Sequence, residues 1–243
     1  MVGHVGIVGC SSEGAALCYR TICLDGAQYL GAHDHPEVSM HTHPLAAYVD
    51  CLGRDDREGV AALMLSSARK LARAGADFLI CPDNTVHAAM DIVRAQFALP
   101  WLHIAEIVAE RAQQRGFMRL GITGTAWLVN SNVYPEKLAA RNIDHVLPTD
   151  AERDEIDRII MTELVRGVFR PEAVAFFGKV MTRMKDAGCD AVVLGCTEIP
   201  LLISDANAPL PTLDSTRLLA HAALARAVGG SYADHALPSI ETS

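Results

Sequence analysis

The feature that most constrains this chain is that it repeats itself. Gly6-Ile7-Val8-Gly9 returns as Gly121-Ile122-Thr123-Gly124, 115 residues on. Ala74-Gly75-Ala76-Asp77 returns as Ala187-Gly188-Cys189-Asp190 after 113 residues, and Leu99-Pro100-Trp101-Leu102-His103 as Leu210-Pro211-Thr212-Leu213-Asp214 after 111. Three echoes in one order at a near-constant offset describe two copies of one unit, and 243 residues suffice for two compact domains. In each copy an apolar run (5–8; 120–122) ends in a Gly/Ser/Thr turn and enters a helical stretch. A long amphipathic segment (60–74; 172–187) then stops at Ala-Gly, where glycine tolerates a left-handed cap. The next run (78–82; 191–195) is apolar at consecutive positions, as a parallel strand buried on both faces requires. Strands alternating with helices predict an α/β chain of two pseudo-symmetric three-layer domains with parallel sheets. Reactive groups in such sheets lie beyond the carboxyl ends of the strands. Asp83 and Cys196, 113 residues apart, hold that place in the two copies. If the copies face each other about a pseudo-twofold axis, both side chains meet in one interdomain cleft.

Composition narrows the function. Half the residues are hydrophobic and mean hydropathy is +0.18, enough to fill a core. A net charge of -8, no basic cluster and 5% aromatics argue against a nucleic-acid surface. No apolar run reaches the roughly 18 residues of a membrane span, and no basic-then-apolar leader opens the chain. Seven cysteines without CxxC spacing read as reduced thiols, so a cytoplasmic location is expected. The cluster His33-Asp34-His35 and His41-Thr42-His43 offers imidazoles, yet no cysteine or HExxH spacing completes a metal site, and none is expected. Gly6-x-x-Gly9 lacks the GxGxxG spacing of a dinucleotide loop, and no Walker pattern appears.

Further motifs give the chain a likeness. Leu194-Gly195-Cys196-Thr197-Glu198-Ile199-Pro200-Leu201-Leu202, His35-Pro36-Glu37-Val38-Ser39 and Asp214-Ser215-Thr216-Arg217 resemble segments of the aspartate/glutamate racemase family of cofactor-independent enzymes. The nine-residue segment resembles that family's second catalytic-cysteine motif. The first, Cys-Asn-Thr-x-His, reads Asp83-Asn84-Thr85-Val86-His87 here, with the cysteine replaced. The resemblance implies a racemase or epimerase of an aspartate/glutamate-like amino acid, no cofactor, and a homodimer. One acid/base group stands on each face of the α-carbon, because inversion needs removal and delivery from opposite sides. Cys196 would serve one face and Asp83 the other. Their reference pKa values, about 8.5 and 3.9, break the symmetry of a dithiol pair, and burial would raise the Asp83 carboxyl.

Asn84, Thr85 and Thr197 are expected to hold the reacting carboxylate where charge develops. Ser11 and Ser12 border the cleft where the family commonly has glycine and proline, and Thr125 opens the matching turn of the second copy. Leu128 stands where a family threonine would donate, which points to a substrate less acidic than aspartate or differently posed. Arg166 falls where some relatives place a lysine for the distal carboxylate, and His87 and Glu198 are expected to support the acid/base pair from behind. Duller roles stand beside these: Asp83 and Asp214 as helix caps, Cys196 and Cys81 as buried strand thiols, Arg166 as a solvated helix residue. Two other functions stay open. A site with one thiol suits a decarboxylase or cis-trans isomerase of a small dicarboxylate, and a broken first motif suits a non-catalytic amino-acid-binding protein. The domains are expected at 1–98 plus 210–243 and at 99–209, the chain crossing over after each copy. Gly229 to Ser243 shows no pattern.

Overall fold

The computed structural model describes residues 2–230. In the first copy β1 (Val5–Gly9) leads into α1 (Ser12–Asp25) and the short α2 (Ala27–Leu30). After β2 (Val38–Thr42) come α3 (Leu45–Gly53) and α4 (Arg57–Arg73), then β3 (Phe78–Ile80), α5 (Met90–Gln96) and α6 (Ile104–Gln114). The second copy runs β4 (Arg119–Thr123), α7 (Ala126–Val129), α8 (Val133–Ala139), β5 (Asp144–Val146) and α9 (Asp150–Thr162). It closes with α10 (Pro171–Asp186), β6 (Ala191–Leu194), β7 (Thr212–Asp214) and α11 (Ser215–Ala227).

All strand pairs are parallel, ordered β2-β1-β3 in one sheet and β5-β4-β6-β7 in the other. Trp101 bridges Leu79 beside β3, so the first sheet carries a counterpart of β7. The Ala-Gly-x-Asp echo has a physical cause. Asp77 accepts the His4 backbone N–H at 2.7 Å, and Asp190 accepts that of Arg119 at 3.0 Å, each aspartate tying the start of one strand to its neighbour.

Strand side chains alternate between two buried faces, as the pleat dictates. Val5, Ile7, Phe78 and Ile80 of one sheet and Leu120, Ile122, Ala191 and Val193 of the other join a single central core with α1, α6, α8 and α11. The outer faces pack separately: Val8 and Leu79 with α3 to α5, Val192 and Leu194 with α9 and α10. Helices therefore cover both faces of each sheet, making three layers, and α1 lies against α11.

The crossovers fall later than 98/99 and 209/210. Residues 99–102 stay with the first sheet, where Leu79 donates to the Pro100 carbonyl and Leu102 to that of Leu79. Thr212–Asp214 stays with the second. What changes sides are the helices that follow, α6 packing on α8 and α11 on α1, with Gly3 N–H donating to the Ala227 carbonyl. The expectation for the chain's end concerns 231–243, outside the described residues. Among those described, no helix is long and apolar enough to cross a membrane.

Candidate active site

The carboxyl ends of β1, β3, β4 and β6 converge on a cavity of about 40 Å³, on the order of one or a few waters. Asp83 and Cys196 both line it, with Asn84, Thr85, Ser11, Thr125, Thr197 and Glu198. A wider groove of about 800 Å³ shares Leu52, Thr85 and Trp127 with the cavity and forms its vestibule.

Backbone geometry sets each wall. Beyond β3, the Asp83 carboxylate accepts the Val86 N–H at 3.2 Å and opens a 3-10 turn over Thr85–Ala89, so it is a cap and a cavity residue at once. His87 fixes that turn from behind. Its Nδ1 donates to the Asp83 carbonyl at 2.7 Å, and its Nε2 accepts the Ile104 N–H at 3.3 Å. Burial lowers the His87 pKa to about 4, so the ring is neutral, as an acceptor nitrogen requires. Burial also pushes the Asp83 carboxyl up, aided by the charge of Glu198.

Beyond β6, Gly195 is needed because a Cβ would strike the Thr123 carbonyl oxygen and lie 2.7 Å from Leu128. The Cys196 thiol donates to Glu198 Oε2 at 2.9 Å, and Thr197 donates to the same oxygen at 3.1 Å. Burial, then the Glu198 charge, holds the thiol well above its usual range, so Cys196 rests protonated. Glu198 Oε1 is buried without a hydrogen-bond partner.

Hydroxyls tie the halves together. Ser11 and Thr197 bond across the cleft at 3.3 Å, Thr85 and Thr125 at 3.0 Å. Each pair takes one residue from a first-strand turn and one from the opposite third-strand turn. The Asn84 amide is spent on structure, donating to Ser215 at 2.9 Å and accepting the Tyr134 hydroxyl at 2.6 Å.

Some expected residues lie elsewhere. Ser12 is exposed in the first turn of α1, where Ser11 is the cap. Arg166 is exposed at the end of a short 3-10 turn whose neighbour Val165 lines the cavity, and Arg166 itself is not among the lining residues. Leu128 packs into the central core, and Trp127 faces the cleft instead. Cys81 is fully buried in the outer core of the first sheet. Asp214 caps α11 and pairs with Arg217. His41 and His43 bond Ser67 and Ser66, with Lys70 against His41.

Among the cavity's titratable side chains, one went unassigned in the sequence. Cys10, directly after β1, is 4% exposed and shares the cavity with Asp83 and Cys196. The signal was its place: Cys10 directly follows β1, in the turn that also carries Ser11.

Comparison with known proteins places this architecture. The family model described as Asp/Glu/hydantoin racemase matches residues 7–223. The chain is 32% identical over 165 residues to a glutamate racemase of Hydrogenobaculum sp., covering 67% of this chain but only 61% of that one. It is 20% identical over 187 residues to the broad specificity amino-acid racemase RacX of Bacillus subtilis, 77% of this chain and 80% of that one. Among solved structures, a candidate Asp/Glu racemase from Yersinia pestis superposes with a TM-score of 0.84 at 28% identity, covering 93% of this chain and 99% of that one.

Proposed function

The chain belongs to the Asp/Glu/hydantoin racemase family, and from that premise we propose that it is a cofactor-independent racemase of an amino acid with an uncharged side chain. The observation that carries the reading is that Asp83 and Cys196 line one cavity, at matching strand ends of two pseudo-symmetric sheets. Inversion requires a proton acceptor on one face and a donor on the other. A half-buried carboxyl held above its usual range and a protonated thiol supply both.

The substrate class follows from the lining. Among the described residues, no lysine or arginine lines the cavity, whereas Asp83 and Glu198 do. A second substrate carboxylate would meet two acids and no cation, which disfavours aspartate and glutamate. The free Glu198 Oε1 suits an α-ammonium instead. Hydroxyls of Ser11, Thr85, Thr125 and Thr197, now paired with one another, can turn to the α-carboxylate. Leu45, Val49, Ile160, Met161 and Val165 leave the side chain an apolar surround. The breadth named for the Bacillus relative agrees with a substrate beyond the two acidic amino acids. All seven cysteines are free, and a working thiol needs a reducing compartment, which favours the cytosol. A homodimer belongs to the proposal, to be read from the solution mass.

The test is incubation in D₂O with L- and D-amino acids, followed by proton NMR and chiral chromatography. Deuterium entry at the α-carbon with inversion of apolar or hydroxyl amino acids is the expected result. Exchange without inversion would point to the one-thiol decarboxylase or isomerase chemistry, and no exchange to a binding protein. Preference for aspartate or glutamate would overturn the substrate class alone.

A further inference from the structure

We infer that the first wall carries a second working thiol, Cys10, and that Asp83 acts on the substrate through it. The inference rests on the racemase reading and changes which atom meets the α-carbon.

Four observations lead there. Cys10 follows β1 directly, is almost fully buried and lines the same cavity as Asp83 and Cys196. Burial, then the nearby Asp83 charge, holds the Cys10 thiol well above its usual range. Asp83 also accepts the Val86 backbone N–H at 3.2 Å, so part of its lone-pair capacity is turned to its own turn. The opposite wall is built alike: the Cys196 thiol donates to Glu198 Oε2 at 2.9 Å. Each wall thus presents one thiol backed by one carboxylate, from different strand positions on the two sides. The chain carries a carboxyl after β3 and a thiol after β1, and both line the same cavity.

The chemistry favours the thiol as the group at carbon. A carboxylate is the weaker base toward a carbon acid, while a thiolate near its partner acid is a strong one. In one direction the Cys10 proton passes to the Asp83 carboxylate, leaving a thiolate. That thiolate takes the α-hydrogen as a proton, and the C–H electron pair stays on the substrate as an enolate-like carbanion. The carbanion takes the Cys196 proton on its other face, forming the new C–H bond and a Cys196 thiolate beside Glu198. Return of one proton from Asp83 to solvent and uptake of one at Cys196 restore the resting state. No electron leaves the system, and no co-reactant is needed. The reverse direction exchanges the two walls.

The experiment uses the full chain and first establishes that wild type inverts an amino acid in D₂O; failure there refutes the racemase reading rather than the role of Cys10. With inversion in hand, Cys10→Ala and Cys10→Ser are assayed in D₂O on each enantiomer, their folds checked by circular dichroism. The expected result is at least a 100-fold loss of inversion in both, with α-deuterium exchange surviving on the one enantiomer that Cys196 can deprotonate alone. Cys196→Ala should retain exchange on the opposite enantiomer. Inversion within threefold of wild type in Cys10→Ser would overturn the inference and return the first wall to Asp83. A second measurement needs no variant: iodoacetate alkylation of wild type, mapped by mass spectrometry. Label on both Cys10 and Cys196, each suppressed by substrate, is expected, and substrate-protected label on Cys196 alone would overturn it.

Discussion

His87 offers a sharp test because its two ring nitrogens have fixed and opposite roles. Nδ1 donates to the Asp83 carbonyl and Nε2 accepts from Ile104, so a proton added at Nε2 destroys the second bond and buries a charge. Burial holds the folded-state pKa at about 4, against 6.5 for an unperturbed histidine. The folded state therefore binds this proton less readily than the unfolded state. The stabilisation is full above about pH 6.5 and drains away as pH falls toward 4. Each unit is worth about 1.4 kcal/mol, so lowering the pH from 7.5 to 4.5 costs about 2.5 kcal/mol through this ring. Urea unfolding of wild type and His87→Gln at both pH values isolates the contribution, since glutamine can donate and accept without titrating. Wild type should lose about 2.5 kcal/mol more than the variant between the two pH values. Equal losses, within about 0.5 kcal/mol, would refute the neutral-acceptor assignment.

Four further outcomes are expected. Gly14→Ala sets a Cβ against the Thr197 hydroxyl, 2.5 Å from Thr197 Cβ and 3.0 Å from Ser11 Oγ. It should break the Ser11–Thr197 bond and lower kcat/KM at least 10-fold, at a stability cost of about 1–3 kcal/mol by thermal melting. Asp83→Asn should abolish inversion yet raise Tm at pH 7.5, because the raised carboxyl pKa means ionisation opposes folding; the gain should vanish at pH values below the unfolded pKa of about 3.9. Glu198→Gln should cut kcat at least 10-fold by removing the carboxylate that accepts from Cys196, with a smaller change in KM. Arg166→Ala should leave kcat/KM within twofold, since the side chain is exposed and outside the cavity.

The fold was legible because its repeat is visible wherever the backbone needs a particular residue. Asp77 and Asp190 recur because each caps a strand start, and the glycines before them because a left-handed turn admits them: Gly75 has φ +99° and Gly188 φ +86°. The crossover points were not legible to within a few residues. A fourth strand and the helix after it share one short segment, and only the hydrogen bonds of Leu79 and Thr212–Asp214 show where one ends. At the site, Asp83 and Cys196 could be found because they occupy equivalent positions. Cys10 has no equivalent thiol in the second copy, where the matching turn offers Thr125, so symmetry alone passed over it. Arg166 lies outside the cavity lining, where its neighbour Val165 stands instead, a difference of one position that the sequence did not carry.

The exchanged helices carry a consequence for how the molecule comes apart. Because α6 and α11 each leave one sheet to pack with the other copy's helices, neither copy owns a complete inner layer. A fragment ending near residue 115 would present the apolar inner faces of β1 and β3 to water, with α6 lacking α8 and α11. The duplication is thus visible in sequence but no longer separable in folding. The two halves should unfold in a single cooperative transition, with coincident signals from Trp101 in one and Trp127 in the other.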